Sequence, residues 1–196
     1  LFKTLFAGVL LGIHFALFFE AIKITKIANA TFLGTLAPLF TLFIELFVLK
    51  RKYNRSVLLG LLFTLIGSII ILGYQFDLES KYTLGNLYAV ICSICIALAL
   101  MIGERVRSQE NTIVYTRTLY LSASCTLFFI AFGVNEELTG YKFNEYLGLA
   151  FLGLVPTILG HNSIYYSIRY VSPTIAAAFP LGEPIIATIF AYFIFH

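Results

Sequence analysis

Charge is what this sequence has least of. Of 196 residues, 12% are Asp, Glu, Lys or Arg, thirteen basic and ten acidic, where soluble domains carry about 25%. So few charges cannot cover a globule of this size with a solvated surface, which excludes a soluble enzyme and a disordered chain. The net charge of +3 is too small for a phosphate-binding footprint, so no nucleic-acid partner is expected. Three cysteines and three histidines give neither an even disulfide framework nor the ligand spacing of a zinc site, and no metal or cofactor is expected. HExxH and GxSxG are both missing, so the motifs of a membrane-embedded hydrolase are not found. Residues 1–19 carry neither a basic leader nor a small-residue cleavage site.

Apolar residues fill the space left by charge. They make up 60% of the chain, and the mean hydropathy is +0.92. A bilayer core of about 30 Å needs about 20 apolar residues per helix. Seven runs meet that need, at 4–22, 27–49, 56–76, 82–103, 118–135, 146–168 and 170–196. They are long and continuous rather than alternating in blocks of about ten, so helices are expected and not barrel strands. The fold class is an all-α polytopic membrane protein whose first partner is the lipid bilayer. Only Glu20, Glu45 and Glu183 place carboxylates inside these runs.

The connections set the orientation. Lys3, Lys50, Arg51, Lys52, Arg55, Arg105, Arg107, Arg117 and Arg169 fall on one side, and Lys23, Lys26, Lys81 and Lys142 on the other. Nine against four places the 50–55, 104–117 and 169 connections in the cytoplasm of a multi-pass protein of the cell membrane.

The chain also resembles itself. At an offset of 146, Phe15–Leu49 lies on His161–Phe195 without a gap, and Ile22, Ala30, Pro38 and Phe47 meet Ile168, Ala176, Pro184 and Phe193. Each copy has a glycine-bearing helix, a tight basic turn and a helix with a mid-span proline. Corresponding spans are offset by five, an odd number, so the second copy is inverted across the membrane, a common build of secondary transporters.

Gly12-Ile-His-Phe-Ala-Leu-Phe-Phe-Glu-Ala-Ile-Lys23, with Ala28-Asn-Ala-Thr-Phe-Leu and Pro38, resembles the third and fourth helices of the drug/metabolite transporter superfamily, EamA type. Gly60 through Gly73 is similar to the fifth. Gly160-His-Asn-Ser-Ile-Tyr-Tyr-Ser-Ile-Arg-Tyr-Val-Ser-Pro-Thr174, then Glu183-Pro184, is similar to the eighth and ninth. The resemblance implies ten helices in two inverted five-helix repeats, of which this chain lacks the first two and the last. Residues 1–76 then hold three helices of the first repeat, and 82–196 hold four of the second. The chain departs from the family pattern twice: Lys50-Arg51-Lys52 stands where an acidic residue often follows the fourth helix, and Ala37 where Glu often precedes the proline.

Glu183 stands thirteen residues from each edge of the last run, between Pro180 and Pro184. A mid-bilayer carboxylate is costly unless paired, protonated or facing water, so it is either a cap on broken backbone or a site residue. His161 and Asn162 follow Gly148, Gly153, Pro156 and Gly160, breakers that predict a bent helix, and Tyr165 shares the His161 face. His161 could hold a proton, bind a carboxylate or hydrogen-bond a carbonyl. His14 is a further candidate for substrate contact, with packing as its plainer reading. Pro38, Pro156, Pro180 and Pro184 are the candidate helix-breaking or gating positions. Cys92 and Cys95 sit among apolar residues and read as packing residues, and Gly8 and Gly12 as a close helix contact.

The leading reading is a secondary transporter, exporting or exchanging small organic metabolites or amino-acid-like solutes, with protons as a candidate coupling ion. The alternative is a seven-helix membrane receptor, which predicts no repeat and an activating motif after the third span; here Glu104-Arg105 follows the fourth. The charge split makes a direct prediction. Single cysteines at Asn54 and Thr139, in a cysteine-free background, label from opposite faces with an impermeant reagent; labelling from one face would refute the topology.

Overall fold

The computed structural model describes residues 1–72, 78–136, 138–182 and 193. The described elements are helical throughout. Five stretches are long and apolar enough to cross a membrane: Phe2–Ile24, Ile27–Val48, Ser80–Arg107, Thr112–Gly133 and Phe143–Ser167. The shorter apolar helices Arg55–Ile70 and Pro173–Gly182 occupy the remaining two expected spans, the third and the seventh. Both of those runs extend into residues outside the described ones. Glu183 and Pro184 lie there as well.

Helix α1 (Phe2–Ile24) ends where Thr25 turns extended, its N–H donating to Ala21 O at 2.9 Å. After Lys26 the chain reverses into α2 (Ile27–Gly34), which breaks at Thr35 and Leu36 before α3 (Ala37–Phe43). Thr35 bends its hydroxyl back to the Thr31 and Phe32 carbonyls, at 2.9 and 3.0 Å. Pro38 falls in the first turn of α3, where its missing N–H has no intrahelical partner to lose. A wider π turn, Ile44–Val48, completes the span. Helix α4 (Arg55–Leu72) follows, then α5 (Thr83–Arg107) and α6 (Thr112–Gly133). The fifth span therefore begins six residues before the expected 118. Asn111 accepts from the Ile113 N–H at 2.9 Å and caps α6 there, and Arg117 sits exposed on the helix rather than in a loop.

Helix α7 (Phe143–Leu152) passes into a π-helical stretch, Gly153–His161, and then α8 (Asn162–Ser167). This is the bend that the breakers predict. Pro156 withdraws one donor, and the Thr157 hydroxyl, donating to Leu152 O at 3.0 Å, helps satisfy the freed backbone. Helix α9 (Pro173–Ala178) starts with Ser172 as its cap and Pro173 in its first turn, then tightens into a 3-10 turn at Phe179–Gly182. The α2–α3 break and this tightening occupy positions related by the 146-residue offset.

Helix α1 is the hub of the packing, lying against α5 and α6. Its glycines make the approach possible: a Cβ on Gly8 would stand 2.5 Å from Leu119 O, and one on Gly12 2.8 Å from Thr126 Cβ. Ala7, Leu11, Leu100, Leu119, Ala123 and Ile168 form the buried core around this seam. In contrast, α7 buries no residue, and α4 exposes Leu62, Phe63 and Ile70, the apolar surface expected against lipid. The connections group by face. Lys23 pairs with Glu136 at 3.0 Å at one end, while Arg51, Arg105 and Arg169 share a space at the other.

The glycine seam yields a paired prediction. Gly8→Val overpacks the α1–α6 contact and costs about 1–3 kcal/mol, whereas Gly60→Ala, with nothing within 4 Å of the added carbon, stabilises by roughly 0.5–1 kcal/mol. Thermal unfolding in detergent measures both, and equal effects would contradict the seam.

Candidate functional site

A cavity of about 650 Å³ lies at mid-span of the bundle. Its walls come from both ends of the sequence. Helix α1 contributes His14, Phe15 and Phe18; the α2–α3 break contributes Thr31, Gly34, Thr35 and Ala37; α5 contributes Ile96 and Leu100. Helix α6 adds Tyr120 and Ser124, the π-helical stretch and α8 add Pro156, Thr157, His161 and Tyr165, and α9 with its 3-10 turn adds Ala177 and Pro180. The broken segments therefore face one another across this space. Their irregular backbone is tolerated at membrane depth where it lines a cavity or is buried in protein.

Two imidazoles flank Phe15, whose ring lies 5.2 Å from His14 and 5.3 Å from His161. The Nδ1–H of His14 donates to the Cys92 carbonyl at 3.0 Å, and that of His161 to the Pro156 carbonyl at 3.1 Å. A carbonyl only accepts, so each Nδ1 carries a proton and Nε2 is left as the ring's other polar atom. His161 thus does two things at once: it caps a carbonyl in the proline-bent stretch and presents an imidazole to the cavity. Tyr165 is fully buried, its ring 5.6 Å from Tyr115 and 6.5 Å from Tyr120, and its hydroxyl has no hydrogen-bond partner among the described residues.

The other sequence candidates fall differently. The Asn162 side chain accepts from the Tyr120 hydroxyl at 3.1 Å, bracing α6 against α8 behind the cavity rather than lining it. Pro38 is buried, and its neighbour Ala37 reaches the cavity instead. Pro156 and Pro180 line it. Cys92 and Cys95 are buried, and Cys92 Sγ lies 3.0 Å from His14 Nδ1. Sequence reasoning did not single out Phe15, Thr31, Thr35 or Tyr120, because aromatic and hydroxyl side chains occur throughout the spans and only packing shows which ones converge.

The fold and cavity are those of a multi-pass membrane protein with a central solute-sized space. Residues 1–73 and 83–196 match the EamA-like transporter family, and the chain belongs to that family. Among curated relatives, an Archaeoglobus fulgidus protein described as an uncharacterized transporter is 25% identical over 182 residues, covering 92% of this chain and 63% of the relative. A second from the same organism is 22% identical over 158 residues, 78% of this chain and 54% of the relative. The riboflavin transporter ImpX of Fusobacterium nucleatum is 27% identical over 205 residues, 97% of this chain and 66% of that protein. The chain thus spans about half to two thirds of the length of these relatives. A crystal structure with a TM-score of 0.78 and 20% identity covers 95% of this chain and 66% of its own, and shares the fold.

Proposed function

We propose that the protein is a secondary transporter of small organic solutes, working by alternating access, with the central cavity as its solute site. The observation that carries this reading is the cavity itself: residues from 1–76 and from 82–196 wall one space, with broken helices facing it from both sides. In this reading the two segments are inverted repeats of a longer protein, to which two helices before and one after this chain contribute, in the cell membrane. The matching break positions in α2–α3 and α9 support the repeat. The relatives named as transporters support the activity, and the aromatic walls suit a solute with a flat ring system, which riboflavin, named for the Fusobacterium relative, has.

Within this site, His14 and His161 offer ring nitrogens to solute, and Tyr165 contributes to the wall. Glu183, which lies outside the described residues, remains the candidate for holding or exchanging a proton, with His161 as its candidate partner. Full-length protein in vesicles should exchange solute above protein-free vesicles when assayed with riboflavin and a panel of small organic solutes. Glu183→Gln should lower turnover per folded molecule roughly tenfold, about 1.4 kcal/mol on the barrier, with insertion intact. His161→Ala should change pH dependence or affinity. Normal turnover in both variants would remove the site; no exchange of any solute would remove the transport reading.

A further inference from the structure

The densest charged cluster among the described residues lies outside the cavity. Glu45 is 0% exposed although it belongs to the membrane-spanning stretch Ile27–Val48. A carboxylate in that position needs a counter-charge and a full set of donors. Arg51 Nη1 donates to its Oε1 at 2.5 Å, and the Tyr53 hydroxyl to its Oε2 at 2.6 Å. The same Oε2 accepts from the Thr174 N–H at 3.2 Å and from the Thr174 hydroxyl. Arg51 then reaches on to α5, where it holds Glu104 with two parallel bonds of 2.7 and 2.8 Å. The Glu104 carboxylate raises the Arg51 pKa, and burial and then Glu45 raise that of Tyr53, so both stay donors.

The backbone is bent to deliver Arg51. Lys50 sits in the left-handed region at φ 53°, a conformation unfavourable for a residue with a Cβ, and the Arg51 N–H closes back on Glu45 O at 2.8 Å. The cluster's position is as telling as its bonds. Thr41, Glu104 and Thr174 each stand about one helical turn, roughly 5 Å, beyond the cavity residues Ala37, Leu100 and Ala177. On its far side Arg51 and Glu104 border a second space of about 460 Å³, shared with Arg105, Arg169 and Ser172. The cluster is thus the partition between the central cavity and the arginine-rich face. It joins the α3 end and the 50–55 connection to α5 and α9. Among the described residues, the opposite end holds no ionic cluster of this kind. There a neutral set, Thr25 and Asn29 on Asn86, joins the α1–α2 turn to α5, and Lys23 pairs with Glu20 and Glu136 through side chains about half exposed, an ion pairing of little net strength.

We propose that Glu45, Arg51, Glu104 and Thr174 form the gate between the central cavity and the arginine-rich face, which parts when solute passes on that side. The proposal rests on the transport reading above for its purpose, not for its geometry. It also gives a role to the departure at Lys50-Arg51-Lys52: a base stands at the helix end, and the acids come from inside the span and from α5.

The test uses full-length protein in sealed vesicles, with Cys92, Cys95 and Cys125 replaced by serine and Ser124→Cys as a cavity reporter. An impermeant maleimide is applied at the arginine-rich face. Arg51→Gln and Thr174→Val should each speed labelling about tenfold, as expected for loss of a hydrogen bond to a charged group. Thr174→Ser should keep the parent rate, and Lys23→Gln should leave it unchanged. Unchanged rates in both Arg51→Gln and Thr174→Val would overturn the gate, as would equal acceleration from both faces. Labelling reads access whether or not solute is carried. A protein inert in the flux assay but labelled as expected retains the gate and loses the transport reading, and an active one labelled alike in every variant does the reverse.

Discussion

Polar atoms that these helices carry into the hydrocarbon are mostly met by another atom of the protein, because water is scarce there; the buried Thr4, Tyr115 and Tyr165 hydroxyls are exceptions among the described residues. Most of the structure follows from that constraint. Hydroxyls fold back onto carbonyls of the preceding turn, as Thr64 does on Gly60 and Ser163 on Leu159. Where a proline removes a donor, a neighbouring side chain supplies one, as Thr157 and His161 do around Pro156. Where a carboxylate is buried, a whole cluster assembles around it. Glu45 draws in a strained loop, a tyrosine, an arginine and the first turn of α9, and so fixes how three elements meet.

The same constraint separates the continuous helices from the broken ones. The glycine seam of α1 on α6 joins backbones at a distance that admits no extra carbon, and the buried core gathers around it. The segments facing the cavity are interrupted instead: α2–α3 at Thr35, the π-helical stretch at Pro156, and α9 at its 3-10 turn. Packed helices frame the space, and broken ones border it. Among the described residues, a buried ionic cluster lies at one end of the cavity, and a neutral set around Asn86 with exposed ion pairs at the other, so the two ends differ in charge.

Much of this was legible in the sequence. Scarcity of charge gave the membrane, run length gave the number of spans, and the Gly148–Gly160 breakers gave the bend that the structure shows as a π helix. His161 was marked by residue type, since a ring nitrogen among Ile and Leu has few reasons to be there, and Tyr165 by lying one turn on along the same face. Other features were hidden for physical reasons. The start of α6 was obscured by Arg117, because a long cationic side chain can ride an exposed helix face that looks like a loop in a charge plot. Glu45 was visible as a carboxylate within a span, but its counter-charge Arg51 lies six residues along the chain. The second carboxylate that Arg51 holds, Glu104, lies 53 residues beyond that, and Thr174 lies 129 residues from Glu45. Only the fold brings those charges together. Asn162 reaches the cavity wall only through the Tyr120 hydroxyl that it accepts from, since adjacent residues on a helix do not share a face.

Alternating access, as proposed, requires a cavity that serves both sides of the membrane in turn. The most direct measurement is made on Thr35→Cys, at the α2–α3 break, in a cysteine-free full-length protein. An impermeant thiol reagent is added separately to each face of vesicles that hold the reagent without leak. The account predicts reaction from either face, at different rates, because the same residue is reached alternately through two closures. Reaction from one face alone, whatever the conditions, would contradict it.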